Sequence, residues 1–173
     1  MNAVARPQSD EYASHFEKYV SRVPEDDILS VLERQFAETR ELFAAIDETK
    51  AAHRYAEGKW SVKEVIGHVV DSERVFGYRA MAIARGEQQP LPGFDEKTYS
   101  ENASYDSWSM KDVAEQYAYT RQSTILLLRN LSEEAWLRRG TASGFPVSVR
   151  ALAWVMVGHE RHHLSVLRER YGL

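Results

Sequence analysis

One start signal for a helix appears twice in this chain, and it limits the fold more than any other feature. Trp60-Ser61-Val62-Lys63-Glu64-Val65 and Trp108-Ser109-Met110-Lys111-Asp112-Val113 share the pattern W-S-x-K-acid-V. A serine at the cap accepts a bond from a free amide of the first turn. In the earlier copy Glu64 reaches back to the cap's own N–H, which makes a capping box. Trp60 before that cap and Val65 after it can close a hydrophobic staple. The residues after each signal diverge and no third copy follows, so this is recurring start chemistry and not a solenoid repeat.

These signals predict long helices from Ser61 to about Arg85, with Gly86 as the C′ residue, and from Ser109 to about Asn130. Ahead of them, residues 25–47 read as a further helix with acids crowding its first turn. Ile28, Val31, Leu32, Phe36, Leu42, Phe43 and Ile46 give it an apolar stripe of helical period. Ser148 can cap a last helix to about Tyr171, with Val147 and Leu152 as its staple pair. Ser132 to Trp136 reads as one capped turn, and Gly140 to Pro146 as a break. No segment alternates with period two, so no sheet is expected.

The resulting expectation is an all-α fold, a four-helix bundle with one long inter-helix loop and a short extra helix. Residues 1–24 read as an N-terminal arm and lead-in, with Pro7 and Pro24 as breakers, and residues 25–173 as the bundle domain. The long connection, Glu87 to Ser107, has a length that suits a lid over a site.

Composition removes several function classes. The chain of 173 residues has no cysteine, which excludes disulfides, thiolate ligands and a cysteine nucleophile together. Any metal must then be held by nitrogen and oxygen. The net charge is −4 and the 22 Lys and Arg are scattered, so no basic stripe offers itself to nucleic acid. The longest apolar candidate, Ala151 to Val157, stops at Gly158 and is far too short for a membrane span. The polar start MNAVARPQSDEYASHF has no secretory core, and a cytoplasmic location is expected.

The histidines carry the chemistry. On the last helix Leu152, Val155, Met156, His159, His163, Val166 and Leu167 fall on one core-facing stripe. Residues four apart lie one turn above each other, so two imidazoles at that spacing can share an ion. His68 lies on a stripe with Val65, Val69, Ser72, Val75 and Phe76 and can point into the same core. A single buried histidine is more often a hydrogen-bonded core residue, but an apolar stripe interrupted twice has four ring nitrogens to satisfy. His162 should face elsewhere, and His15 and His53 fall in polar surroundings. Glu160 sits off the histidine face, and Asp71 reads equally as a partner of His68 or a solvated acid. Trp60 and Trp108 read as staples, and Trp154 as core or dimer interface. Tyr78, Tyr99, Tyr105, Tyr117 and Tyr119 could line a pocket. His159-Glu160-Arg161-His162-His163 matches H-E-x-x-H letter for letter, yet the chain offers no downstream third ligand and no sheet to hold a peptide.

Trp60-Ser61 followed by a helix bearing His68, Asp71 and Glu73, with the closing G-H-E-R-H-H-L run at Gly158 to Leu164, resembles the DinB-like or YfiT-like superfamily. The resemblance spans about Asp26 to Tyr171 and implies a four-helix bundle, often a homodimer, that holds a divalent metal ion. The family's first ligand falls on His68 and its H-x-x-x-H pair on His159 and His163. Characterised relatives include thiol S-transferases that use bacillithiol-type cosubstrates and a mycothiol-dependent isomerase. Three readings follow. The first is a metal-dependent transferase that joins a low-molecular-weight thiol to a small-molecule electrophile. The second is a metal-dependent hydrolase of a small molecule. The third is a metal-stabilised dimeric binding module. Zinc, nickel, iron and manganese all suit three imidazoles.

Overall fold

Local start and stop chemistry accounts for where the long helices begin and end in the computed structural model, which describes residues 4–173. Four helices form the bundle: α2 (Ile28–Ala44), α4 (Val62–Ala84), α6 (Met110–Arg129) and α8 (Val149–Tyr171). Ser61 accepts from the Glu64 amide at 3.2 Å while the Ser61 amide donates to Glu64 Oε2 at 2.7 Å, so the capping box is formed. Ser109 and Ser148 accept from the amides of Asp112 and Ala151, each at 3.0 Å. Gly86 and Gly172 follow α4 and α8 with φ of 91° and 68°, the left-handed region that glycine enters without a Cβ penalty.

The first long helix starts later than its acids suggest. Asp27 is the cap, and Glu25 stands outside the helix and binds Arg161 of α8 at 2.8 Å. Those acids serve the cap and a tertiary contact, and the first turn of α2 holds none.

In cross-section α4 packs on α8 and α6, and α2 closes the ring against α6 and α8. The apolar core forms two clusters. One is centred on α8 residues Leu152 to Val157, and the other joins Phe43, Val65, Ile66, Tyr117 and Leu167. Trp154 is fully buried in the first cluster, and Trp60, Trp108 and Val65 belong to the second.

The expectation of no sheet is corrected. The predicted break folds as a hairpin of β1 (Arg139–Ala142) and β2 (Phe145–Ser148), paired from Arg139↔Ser148 to Ala142↔Phe145. Its turn, Ser143-Gly144, has φ of 53° and 82°, which matches the twist of a tight hairpin. Strands of four residues are too short to display a period, so the pattern was silent.

The connection after α4 is a structured strap. It carries α5 (Glu96–Ala103) and is fastened at both ends. Leu91 joins the hairpin through its amide to Thr141 O at 2.8 Å, and Arg79 holds Pro92 O at 2.8 Å. At the far end Lys63 holds the carbonyls of Asp106 and Trp108 at 3.1 and 2.9 Å. The shorter helices α3 (Glu48–Ala51) and α7 (Glu133–Leu137) fill connections.

The N-terminal segment, with α1 (Glu17–Val20), packs along α8. Gly158 permits this approach, because any Cβ there would collide with the Tyr19 carbonyl. No helix is long and apolar enough to cross a membrane among the described residues.

Candidate metal centre

The packing of α4 on α8 brings His68, His159 and His163 to one point. His68 Nε2 lies 3.1 Å from His159 Nε2, and His163 Nε2 lies 3.2 Å from the same atom. One ring nitrogen from each falls within 4.8 Å of the others. His68 and His159 are buried and His163 is half-buried, so the cluster opens on the His163 side.

Burial disfavours the charged form of all three rings. It lowers His68 to about 4, with Asp71 pulling the other way. It lowers His163 to about 2, helped by His68 and His162, and puts His159 well below the ordinary value. The rings are therefore neutral at neutral pH.

Neutrality leaves a hydrogen-bonding shortage. Each Nε2 carries one proton or one lone pair, so the central His159 nitrogen can bond to only one of its two neighbours. A cation accepting a lone pair from each ring resolves that conflict, and an all-nitrogen donor set suits a first-row divalent ion. The three residues present thus fit the group.

Aromatic rings wall the cluster. Trp60 lies 5.1 Å from His68, Tyr19 stands edge-on to His159 at 5.1 Å, and Phe76 does so at 5.9 Å. Trp60 therefore faces a histidine as well as closing the start of α4. Tyr19 escaped the sequence reading because only the docking of α1 places it here. His162 lies outside the ligand group, with its ring 5.7 Å from Tyr19. His15 and His53 are exposed and stand outside the group, His15 beside Phe16 at 4.3 Å and His53 edge-on to Tyr171 at 6.2 Å.

Both nearby carboxylates have other partners. Glu160 is buried and accepts from Thr39 at 2.6 Å, from Tyr117 at 3.0 Å and from Arg121. Asp71 pairs with Arg74 at 3.2 Å and faces the Tyr105 phenol, which burial and then Asp71 push well up. Of the five tyrosines, Tyr78 and Tyr119 line a groove between α4 and α6 that includes none of the three histidines. Tyr105 and Tyr117 are core, and Tyr99 is exposed.

Fold and site together define a four-helix-bundle protein with a three-imidazole cluster between two of its helices. The model of the DinB superfamily matches residues 31–167, and the chain belongs to that superfamily. Among solved structures it is similar to YfiT from Bacillus subtilis, described as a probable metal-dependent hydrolase with an unusual four-helix bundle topology. The TM-score is 0.72 at 19% identity, over 96% of this chain and 93% of that one. It is also similar to a mycothiol-dependent maleylpyruvate isomerase, with a TM-score of 0.67 at 18% identity, over 84% of this chain and 61% of that one. A DinB-like protein from Bacillus subtilis, YjoA, gives a TM-score of 0.60 at 23% identity, over 84% and 89%. At these identities the likeness establishes the fold alone. No curated protein matches the chain.

Proposed function

We propose that this protein is a divalent-metal-dependent enzyme that transfers a low-molecular-weight thiol to a small electrophile, with His68, His159 and His163 as the metal ligands. The observation that carries the reading is the donor set: three neutral imidazoles whose Nε2 atoms converge at 3.1 and 3.2 Å, with no carboxylate among them. A divalent ion held by three neutral rings keeps its full charge and lowers the pKa of a thiol or water presented to it.

The chain's own residues favour a thiol over water. Hydrolysis calls for a positioned general base. Glu160 is held by Arg121, Thr39 and Tyr117, and Asp71 by Arg74, which leaves neither free for that work. A thiol has an ordinary pKa of about 8.5 and ionises with far less help. The protein has no cysteine, so the thiol comes as a cosubstrate. Trp60, Phe76 and Tyr19 supply apolar walls that keep bulk water from the reacting atoms. The mycothiol dependence named for the isomerase supports this choice.

The second reading is a metal-dependent hydrolase, favoured by the description of YfiT and by the near-complete overlap with it.

The deciding experiment starts with metal content. Protein purified without chelator should carry close to one ion per chain, and a His159→Ala, His163→Ala variant should carry none. Loaded protein is then offered small electrophiles with and without bacillithiol or mycothiol. Metal-dependent conjugation supports the transferase, and thiol-independent turnover supports the hydrolase. A wild type that takes up no zinc, nickel, iron or manganese would return the histidines to the core.

A further inference from the structure

Beside the histidine cluster the bundle buries a second polar assembly. Arg121 of α6 is completely buried, and its partners Glu73 of α4 and Glu160 of α8 are 3% and 1% exposed. Arg121 Nε donates to Glu73 Oε1 at 2.8 Å and Nη2 donates to Glu73 Oε2 at 2.7 Å, a two-pronged grip. Nη2 also donates to Glu160, whose other oxygen accepts from Thr39 and Tyr117. Each carboxylate serves only as an acceptor, so one guanidinium faces two negative charges. Arg121 Nη1 finds no partner among the described residues.

Such an assembly is a poor way to stabilise a core. Desolvating three charges offsets most of their attraction, and apolar side chains of similar volume would serve stability as well or better. The unmet Nη1 donor and the excess negative charge make it worse. What the assembly does provide is direction. Apolar contacts between helices tolerate sliding, whereas a forked arginine–carboxylate contact fixes both distance and angle.

Its anchor points are the two helices that carry the ligands. Glu73 stands about 1.4 turns beyond His68 on α4, and Glu160 directly follows His159 on α8. Arg121 belongs to α6, which carries no ligand, and it holds both helices that do.

We propose that the Glu73–Arg121–Glu160 assembly is the positioning element of the histidine site. It fixes α4 against α8 so that His68 and His159 meet a common ion. This inference rests on the metal-binding reading above.

The test replaces the charges without emptying the core, in an Arg121→Met, Glu73→Leu, Glu160→Leu variant. Metal-free protein should stay folded with a melt within several degrees of wild type, because the orphaned Thr39 and Tyr117 hydroxyls offset the gain from removing buried charge. Its zinc affinity, measured by competition with a chromophoric chelator, should fall at least tenfold. The visible spectrum of its cobalt(II) form should lose the wild-type band pattern. Wild-type affinity and spectrum in the folded variant would overturn the proposal. Glu73→Gln, which keeps the Arg121–Glu160 contact, covers the case in which the triple variant fails to fold. It should weaken zinc binding severalfold with a near-native melt, and unchanged binding would again count against the assembly. Wild-type protein is titrated alongside. If it binds no zinc, the metal reading itself fails, whereas binding that is equal in wild type and variants refutes only the positioning role.

Discussion

The Nε2 atoms of His68 and His159 lie 3.1 Å apart, although 91 positions separate them in the chain. Two imidazolium rings could not approach so closely inside a protein, because like charges in a poorly screened interior repel strongly. Burial resolves this by keeping both rings neutral. It also leaves their lone pairs free for a cation, which links the packing of α4 on α8 to the proposed chemistry.

Metal should stabilise the fold. Zinc at about a hundred times its dissociation constant contributes about 2.7 kcal/mol. For a domain of this size that raises the melting temperature by roughly 5 to 10 °C. Differential scanning fluorimetry of chelator-treated protein with and without zinc measures it. The His159→Ala, His163→Ala variant should show no rise, and an unmoved wild type would sever the ion from the fold's energetics.

Acid should loosen the N-terminal segment. Burial alone would raise the Glu11 carboxyl, but donors on Arg150, Ser148 and the Gln8 amide outweigh it and hold it at about 2, down from 4.5. A depressed carboxyl contributes its stability in full above 4.5, and that contribution is lost as pH falls towards 2. Glu11→Gln should cost about 1 to 2 kcal/mol at pH 7, allowing for solvent screening, and flatten the acid slope in that window. Urea denaturation at pH 7 and pH 3 would show it as a loss that shrinks with acid.

Gly158→Ala should dislodge α1. The added methyl meets the Tyr19 carbonyl, a backbone atom that cannot rotate away. Overpacking of this kind costs about 1 to 3 kcal/mol. The expected signs are a melt lowered by several degrees and new proteolytic cuts within residues 14–24. A variant as resistant as wild type would mean that the segment has another way to dock.

Gly67→Ala should unseat the strap after α4. Its methyl would collide with the ring of Tyr105, a buried residue just beyond α5. A loss of about 1 to 3 kcal/mol is expected, with faster hydrogen exchange across residues 96–107. Adding Tyr105→Leu should recover part of it, because the two positions share one contact. Strictly additive losses would argue against the clash.

Much of the fold was legible because caps are local. Ser61 and Glu64 are three residues apart, and their reciprocal bonds depend on nothing beyond that turn. The pairing of His159 with His163 is legible for the same reason, since helical geometry alone stacks them. The hairpin gave no signal, its strands being shorter than any period. The buried charges were misleading in a more instructive way. Arg121 occupies the same stripe as Tyr117, Thr124 and Leu128, and Glu73 the same stripe as Val69, Phe76 and Ala80, all of them buried. A charge in the middle of an apolar stripe is the sign that would have exposed them.

The sequence alone determined the long helices, most of their ends and the face that each buries, because these depend on contacts within a few residues. Only the tertiary structure decided that His68 meets His159, that Tyr19 stands against His159 and that Arg121 joins α4 to α8. Those relationships require distant segments to be close at once, and no local pattern records that.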